Sequence, residues 1–110
     1  MTNPSEEHLK AAKRILRYVK STVDFGIHYS SNKFELFGFS DLDWGGSLDD
    51  RKSTSGNCFS LGSSLITWSS KKQSMVALSS TEAEYVVVTS ASTQALWLRK
   101  LLEEIGEIQV

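Results

Sequence analysis

An α+β domain is what this sequence predicts, and three observations carry the prediction. Amphipathic helical stretches stand at either end, strand-like alternation lies between them, and the composition suits one folded core. The chain has 110 residues, 40% of them hydrophobic and 23% charged. That length fits one domain burying roughly two-thirds of its unfolded surface. Aromatic residues make up 10% and the net charge is −1, which is not the profile of a self-repelling disordered chain. Cys58 is the single cysteine, so no disulfide scaffold forms within one chain. No apolar run approaches the ~20 residues needed to span a bilayer, and Met1 to Glu7 contain no apolar signal-peptide core. A reducing intracellular compartment, cytoplasmic or nuclear, is therefore expected, with no membrane partner. The balance of 12 basic against 13 acidic residues argues against a uniformly basic surface.

The first element is a helix from Ser5 to Ser21. Ser5 can cap it, and Glu6 and Glu7 sit near the positive end of its dipole. Leu9, Ala12, Leu16 and Val19 recur at helical spacing, with Ile15 widening the stripe. Lys10, Lys13, Arg14, Arg17 and Lys20 occupy the other faces, either as the solvated side of a packed helix or as a ridge facing nucleic acid. Gly26 to Ser30 and Phe34 to Asp41 then read as a hairpin turning at Ser31-Asn32-Lys33. Alternation in the second strand places Glu35, Phe37, Phe39 and Asp41 on one side and Leu36, Gly38, Ser40 and Leu42 on the other. Gly45 to Asp50 is a loop by composition. Asn57 to Leu61 and Leu65 to Ser69 make a second hairpin across Gly62-Ser63-Ser64, with Cys58 expected as a small core residue. Thr81 to Ile105 lack Gly and Pro and form a long helix. Ser79 with Glu82, or Thr81 with Glu84, supplies the capping box, and Gly106 the stop.

Two carboxylates can work together. Asp41 ends a Phe-rich strand just before a loop, where a rigid strand aims a side chain and a loop opens a site. Asp43 follows on the same face and is a subsidiary metal candidate. On the long helix, Glu84 aligns with Val88, Ala91, Ala95, Leu98 and Leu102, the stripe expected to pack on the sheet. Glu84 should thus point inward, a costly buried charge unless partnered. Glu82 faces elsewhere and is the better capping residue. A strand-end Asp and an inward Glu can converge on Mg²⁺, which takes oxygen ligands, keeps waters and commonly uses one or two carboxylates plus substrate phosphates.

Other chemistries lack their residues. His8 and His28 have no partners at zinc spacing, the Ser-rich stretches lack a nucleophile-elbow context, and no Gly-Lys-Ser/Thr follows Gly45-Gly46. Arg51-Lys52 and Lys71-Lys72 are basic pairs near Trp44 and Trp68. They suit a nucleic-acid backbone, and equally the protection of strand edges.

These residues also resemble a known family. Phe39-Ser40-Asp41-Leu42-Asp43-Trp44-Gly45-Gly46 and Asp49-Asp50-Arg51-Lys52-Ser53-Thr54-Ser55-Gly56 are similar to the ribonuclease H domain of copia-type LTR retrotransposon Pol polyproteins. Ile66 to Gln73, Ala77 to Tyr85 and Trp97 to Leu102 continue the likeness in order. His8 to Thr22 resembles the segment joining reverse transcriptase to ribonuclease H, which divides the chain into residues 1–24, connection-like, and 25–110, ribonuclease H-like. The resemblance implies a mixed sheet of five strands, three antiparallel, with helices packed on it. It also implies Mg²⁺- or Mn²⁺-dependent cleavage of RNA in an RNA/DNA hybrid, with double-stranded RNA as the other candidate substrate. Asp41 matches the family's first metal-binding Asp and Glu84 its helix Glu. Asp43 is typical of the copia pattern without being the matched ligand.

The family's third carboxylate and its fourth and fifth strands have no counterpart in these 110 residues, so a partial, C-terminally truncated version of the fold is expected. The strand carrying Asp41 should then present an open edge. A homodimer through that edge or the long helix, or the N-terminal helix folding back on the sheet, would cover it. Weak metal binding is expected, and an inactive nucleic-acid- or protein-binding relic is the alternative function.

Overall fold

The computed structural model of the chain describes residues 3–29 and 34–109. Its elements run α1 (Glu6–Ser21), β1 (Leu36–Asp43), β2 (Thr54–Leu61), β3 (Ser64–Lys72) and α2 (Ser80–Glu104), an α+β fold as the patterning predicts. One three-stranded antiparallel sheet, ordered β1-β2-β3, carries α2 on one face.

The helix ends follow capping chemistry. Ser5 caps α1: its hydroxyl accepts from His8 N, and its own N–H donates to His8 Nδ1, closing a capping box in which His8 takes the usual Glu position. At α2, Ser79 Oγ accepts from Glu82 N at 3.1 Å and Glu82 Oε2 accepts from Leu78 N at 2.8 Å. Glu82 is thus the capping acid. Gly106 ends α2 at φ +90°, with Gly106 N bonded to Glu103 O and Glu107 N to Leu102 O. Those two bonds are a complete Schellman stop, and only glycine enters its left-handed position without strain.

The second hairpin forms as expected, although its strands are longer and its loop is the two residues Gly62 and Ser63. The first does not. Residues 26–29 form no strand, and the proposed turn at 31–33 lies outside the described residues. Side-chain bonds hold the segment instead at the start of β3: Ser64 Oγ donates to His28 O, and Tyr29 Oη donates to Leu65 O. β1 finds its partner in β2, with Leu36 opposite Leu61 and Asp43 opposite Thr54.

The core lies between α2 and the face of β1 bearing Leu36, Gly38, Ser40 and Leu42. Phe59 of β2, 2% exposed, fills it together with Ala83, Val87, Leu98 and Leu102 of α2. Gly38 makes room for it, since a Cβ there would stand 2.5 Å from Phe59 Cε1. Cys58 falls on the opposite face of the sheet and is half-buried, outside the core expected for it.

The far edge of β1 carries no strand among the described residues. Glu35 O accepts from Gly62 N on the β2 side, so alternate peptides point the other way. There Gln109 closes the first step: its Nε2 donates to Phe34 O at 2.6 Å and its Oε1 accepts from Leu36 N at 2.8 Å.

Candidate functional site

The end of β1 sits beside the first turns of α2, and Gln73 fixes that arrangement. Its backbone N–H donates to Ser53 O at 2.8 Å, while its side-chain Nε2 donates to Ser55 Oγ at 2.9 Å and to Ala83 O at 3.3 Å. One nearly buried amide therefore ties β2, the end of β3 and the N-terminus of α2 together. Ser53, fully buried, performs a similar task for the loop after β1 by accepting from Gly45 N at 3.1 Å. Neither residue stands out in the sequence as functional. Only the spacing of polar residues at strand ends hints at them.

Between these elements opens a cleft of about 390 Å³ lined by Ser40, Asp41, Leu42, Trp44, Ser80, Glu84, Val87 and Val88. Asp41 contributes from the strand and Glu84 from the helix. A larger hollow of about 600 Å³ lies at the other end of β1 and includes Glu35, Arg99, Glu107 and Gln109. The candidate site is assigned to the smaller cleft, because Asp41 and Glu84, acids of different elements, both line it, with Asp41 alternating with Ser40 and Leu42 onto the sheet face away from α2.

Glu84 reaches the cleft by a route different from the one its spacing predicts. It is exposed, and the residues of α2 that bury in this region are Ala83 and Val87, one position earlier than the expected Glu84 and Val88. Burying an unpaired carboxylate costs several kcal/mol. A rotation by one residue puts small Ala83, 0% exposed, against the sheet and lets the carboxylate face water. Val88 consequently flanks an open groove along β1 with Ala91, Ser92 and Ala95. The two stripes coincide again at Leu98 and Leu102.

Asp43 does not line the cleft. Its carboxylate folds over its own turn, where a Cβ at Gly46 would meet it. The basic residues gather at the same end of the sheet, since Asp43, Thr54 and Lys72 form one row across the three strands. Lys72 is engaged there: its Nζ donates to Asp50 Oδ2 at 2.9 Å and to Ser47 Oγ at 3.2 Å. The Lys72 ammonium first, then the Ser47 hydroxyl and Lys52 N, hold the Asp50 carboxyl far below the usual carboxylate range. Arg51 occupies the left-handed region at φ 56° and borders a small hollow with Trp44, Gly45, Val76 and Ala77. Lys71 is exposed at the end of β3.

Among the described residues, no group of three or more His, Cys, Asp or Glu side chains comes together to hold a metal ion. No described helix is long and apolar enough to cross a membrane.

Comparison with known proteins gives a consistent result. The chain is 49% identical over 107 residues to the retrovirus-related Pol polyprotein from transposon RE1 of Arabidopsis thaliana, covering 96% of this chain and 7% of that protein. It is 40% identical over 106 residues to the Pol polyprotein from transposon TNT 1-94 of Nicotiana tabacum, covering 96% of this chain and 8% of that one. With secreted RxLR effector protein 161 of Plasmopara viticola it shares 44% identity over 98 residues, 88% of this chain and 69% of the effector. The chain thus corresponds to a small part of the polyproteins and to most of the effector. No family model matches it, and no solved structure matches it at a significant level. On these relationships the chain belongs to the family of sequences homologous to copia-type retrotransposon Pol polyproteins.

Proposed function

We propose that this chain is a ribonuclease H-type domain of retrotransposon origin, which hydrolyses the RNA strand of an RNA/DNA hybrid with Mg²⁺ or Mn²⁺. The observation that carries the reading is the shared cleft, in which Asp41 from β1 and Glu84 from α2 line one opening at the loop end of the sheet. Kinship with Pol polyproteins supports it.

Two oxygen-bearing acids, one on a strand and one on a helix, fit a hard divalent cation that keeps several waters and takes further ligands from a phosphate. Asp41 and Glu84 would hold it. Such an ion, when bound, supplies Lewis-acid polarisation and a water of lowered pKa. The chain's own residues do the rest. Gln73 fixes the start of α2 against the sheet and so sets where Glu84 stands relative to Asp41. Ser53 holds the loop that follows β1. Arg51, Lys52 and Lys71 offer cations for the nucleic-acid backbone on the same end of the sheet, whereas Lys72 supports the loop through Asp50. Trp44, 53% exposed at the rim of the cleft, offers a face on which a base can stack.

The test is cleavage of labelled RNA/DNA hybrid and of double-stranded RNA, each with Mg²⁺ and with Mn²⁺, alongside Asp41→Asn and Glu84→Gln. Metal-dependent cutting of hybrid that both variants lose supports the proposal. Cutting of duplex RNA alone reassigns the substrate. No cutting under any condition rejects catalysis and favours a binding relic, and cutting that survives both substitutions rejects the site.

A further inference from the structure

Among the described residues, nothing packs on the helix α1 or on the outer face of the sheet. Advancing 100° per residue, α1 gathers Leu9, Ala12, Ile15, Leu16 and Val19 on one half of its circumference and Lys10, Lys13, Arg14, Arg17 and Lys20 on the other. No residue of α1 is buried, and Leu16 is 67% exposed. The helix packs on neither the sheet nor α2. The radius of gyration, 17.4 Å, records this, because a compact chain of this length has about 13 Å.

The sheet face turned away from α2 is the counterpart. Phe39, Cys58 and Trp68 stand opposite one another across the three strands, with Phe37 beside them. Phe39 is 64% exposed and Trp68 66%. Acids frame this strip, with Glu35 at one end of β1 and Asp41 and Asp43 at the other. The charges are complementary. Five basic and two acidic residues give α1 a net +3, and the seven basic and eleven acidic residues elsewhere give the remainder −4. The lengths match as well: 16 helical residues span about 24 Å, and the eight residues of β1 about 27 Å.

We infer that two copies of this chain exchange their α1 helices, each laying its apolar half across the outer sheet face of the other. The chain ahead of β1 is fastened to the start of β3 by the His28 and Tyr29 bonds, while α1 stands off its own sheet. A reciprocal exchange covers both unpartnered surfaces in both copies and closes with two-fold symmetry. The inference does not rest on the proposed activity, because it uses neither Glu84 nor a metal, and Asp41 enters it only as a charge at the end of the strip. It also differs from a dimer through the β1 edge or α2.

Cys58 provides the probe, since it sits in the centre of the covered strip. Full-length Leu16→Cys protein, oxidised mildly, should give a disulfide between the new thiol and Cys58. Peptide mapping of a mixture of ¹⁵N-labelled and unlabelled chains should find that bond joining different chains. Arg14→Cys, on the far side of α1, is the control and should form that bond poorly. In parallel, sedimentation of the unmodified chain should show a concentration-dependent species of twice 12.2 kDa. Leu16→Glu should weaken it by at least about 30-fold, the loss of one buried anchor. Because α1 packs on no other element, neither change threatens the fold of the sheet and α2. A Cys58 bond confined to one chain, equal bonding by Arg14→Cys, or a monomer at every concentration overturns the proposal.

Discussion

Replacing Gln73 by Ala tests whether one amide really sets the geometry of the cleft. The side chain makes two hydrogen bonds, to Ser55 Oγ at 2.9 Å and to Ala83 O at 3.3 Å, from a position only 9% exposed. A typical intramolecular hydrogen bond contributes about 1 kcal/mol net, and a buried partner left unsatisfied adds about 1–3 kcal/mol. The Ala83 carbonyl keeps its partner one helical turn on, so it loses only a second bond, and half-buried Ser55 can turn towards water. The working figure is therefore about 2 kcal/mol, close to the sum of two ordinary bonds. With a urea m-value of about 1–2 kcal/mol/M for a domain this small, the midpoint should fall by roughly 1–2 M. Gln73→Glu separates donor from acceptor. It can still accept from the Ser55 hydroxyl but turns a carboxylate on the Ala83 carbonyl, so it should be at least as damaging as Ala. The measurement is equilibrium urea unfolding followed by circular dichroism, with amide exchange of the first turn of α2 as a local readout. If Gln73→Ala unfolds within about 0.3 M of the parent and leaves that exchange unchanged, the amide does not position α2 and the reasoning fails.

Other expectations follow from the same structure. Gly38→Ala should cost about 1–3 kcal/mol by overpacking, because the new Cβ meets the buried Phe59 ring at 2.5 Å; a neutral result in urea would show that the ring has room to move. The Asp50 carboxyl, held far below its ordinary range first by Lys72 and then by Ser47 and Lys52 N, should stay ionised in the folded chain at pH values where an ordinary aspartate is already taking up its proton. Its folded pKa lies below its unfolded one, so its contribution to stability is present above the unfolded pKa, about 3.9, and fades as pH falls towards the folded pKa. Lys72→Met should return the Asp50 titration, read from carboxyl ¹³C shifts, towards the ordinary range, and titration near pH 3.9 in the parent chain would contradict the assigned ion pair. Asp41→Asn should abolish metal-dependent cleavage of hybrid while leaving the urea midpoint within about 0.5 M of the parent, as expected for an exposed acid; loss of fold would be the contrary result.

Local chemistry made much of this fold legible. Ser5, Ser79 and Gly106 announced the helix ends because capping is decided by the few residues at the terminus itself, and Gly62 announced the hairpin loop for the same reason. Contacts distant in sequence were hidden. Residues 26–29 have the composition of a strand, yet the Ser64 and Tyr29 hydroxyls fasten them to the start of β3, and no local pattern carries that bond. Helical periodicity found Leu98 and Leu102 but set the first turns one residue off. A 3.6-residue period cannot weigh the desolvation of Glu84 against the close approach that Ala83 allows. For the candidate site, a strand-end Asp and a helix-start Glu stand out in the sequence, and both line one cleft. Gln73 was not readable as the residue that brings them there, because a glutamine after two lysines looks like any solvated strand end.

The closing of one step of the β1 edge by Gln109 has a consequence for how the molecule behaves in concentrated solution. Beyond that step, Gly38, Ser40 and Leu42 direct their peptide groups outward along a strand whose stretch Leu36-Phe37-Gly38-Phe39-Ser40 carries no charge and no proline. Such a segment on an open edge is a template for cross-β growth. What interrupts it are the charges at its ends, Glu35 on one side and Asp41 on the other, acting as gatekeepers against fibril formation. Asp41 thus carries a second burden besides the one assigned to it in the cleft: exchanging it for a neutral residue also removes a brake on aggregation.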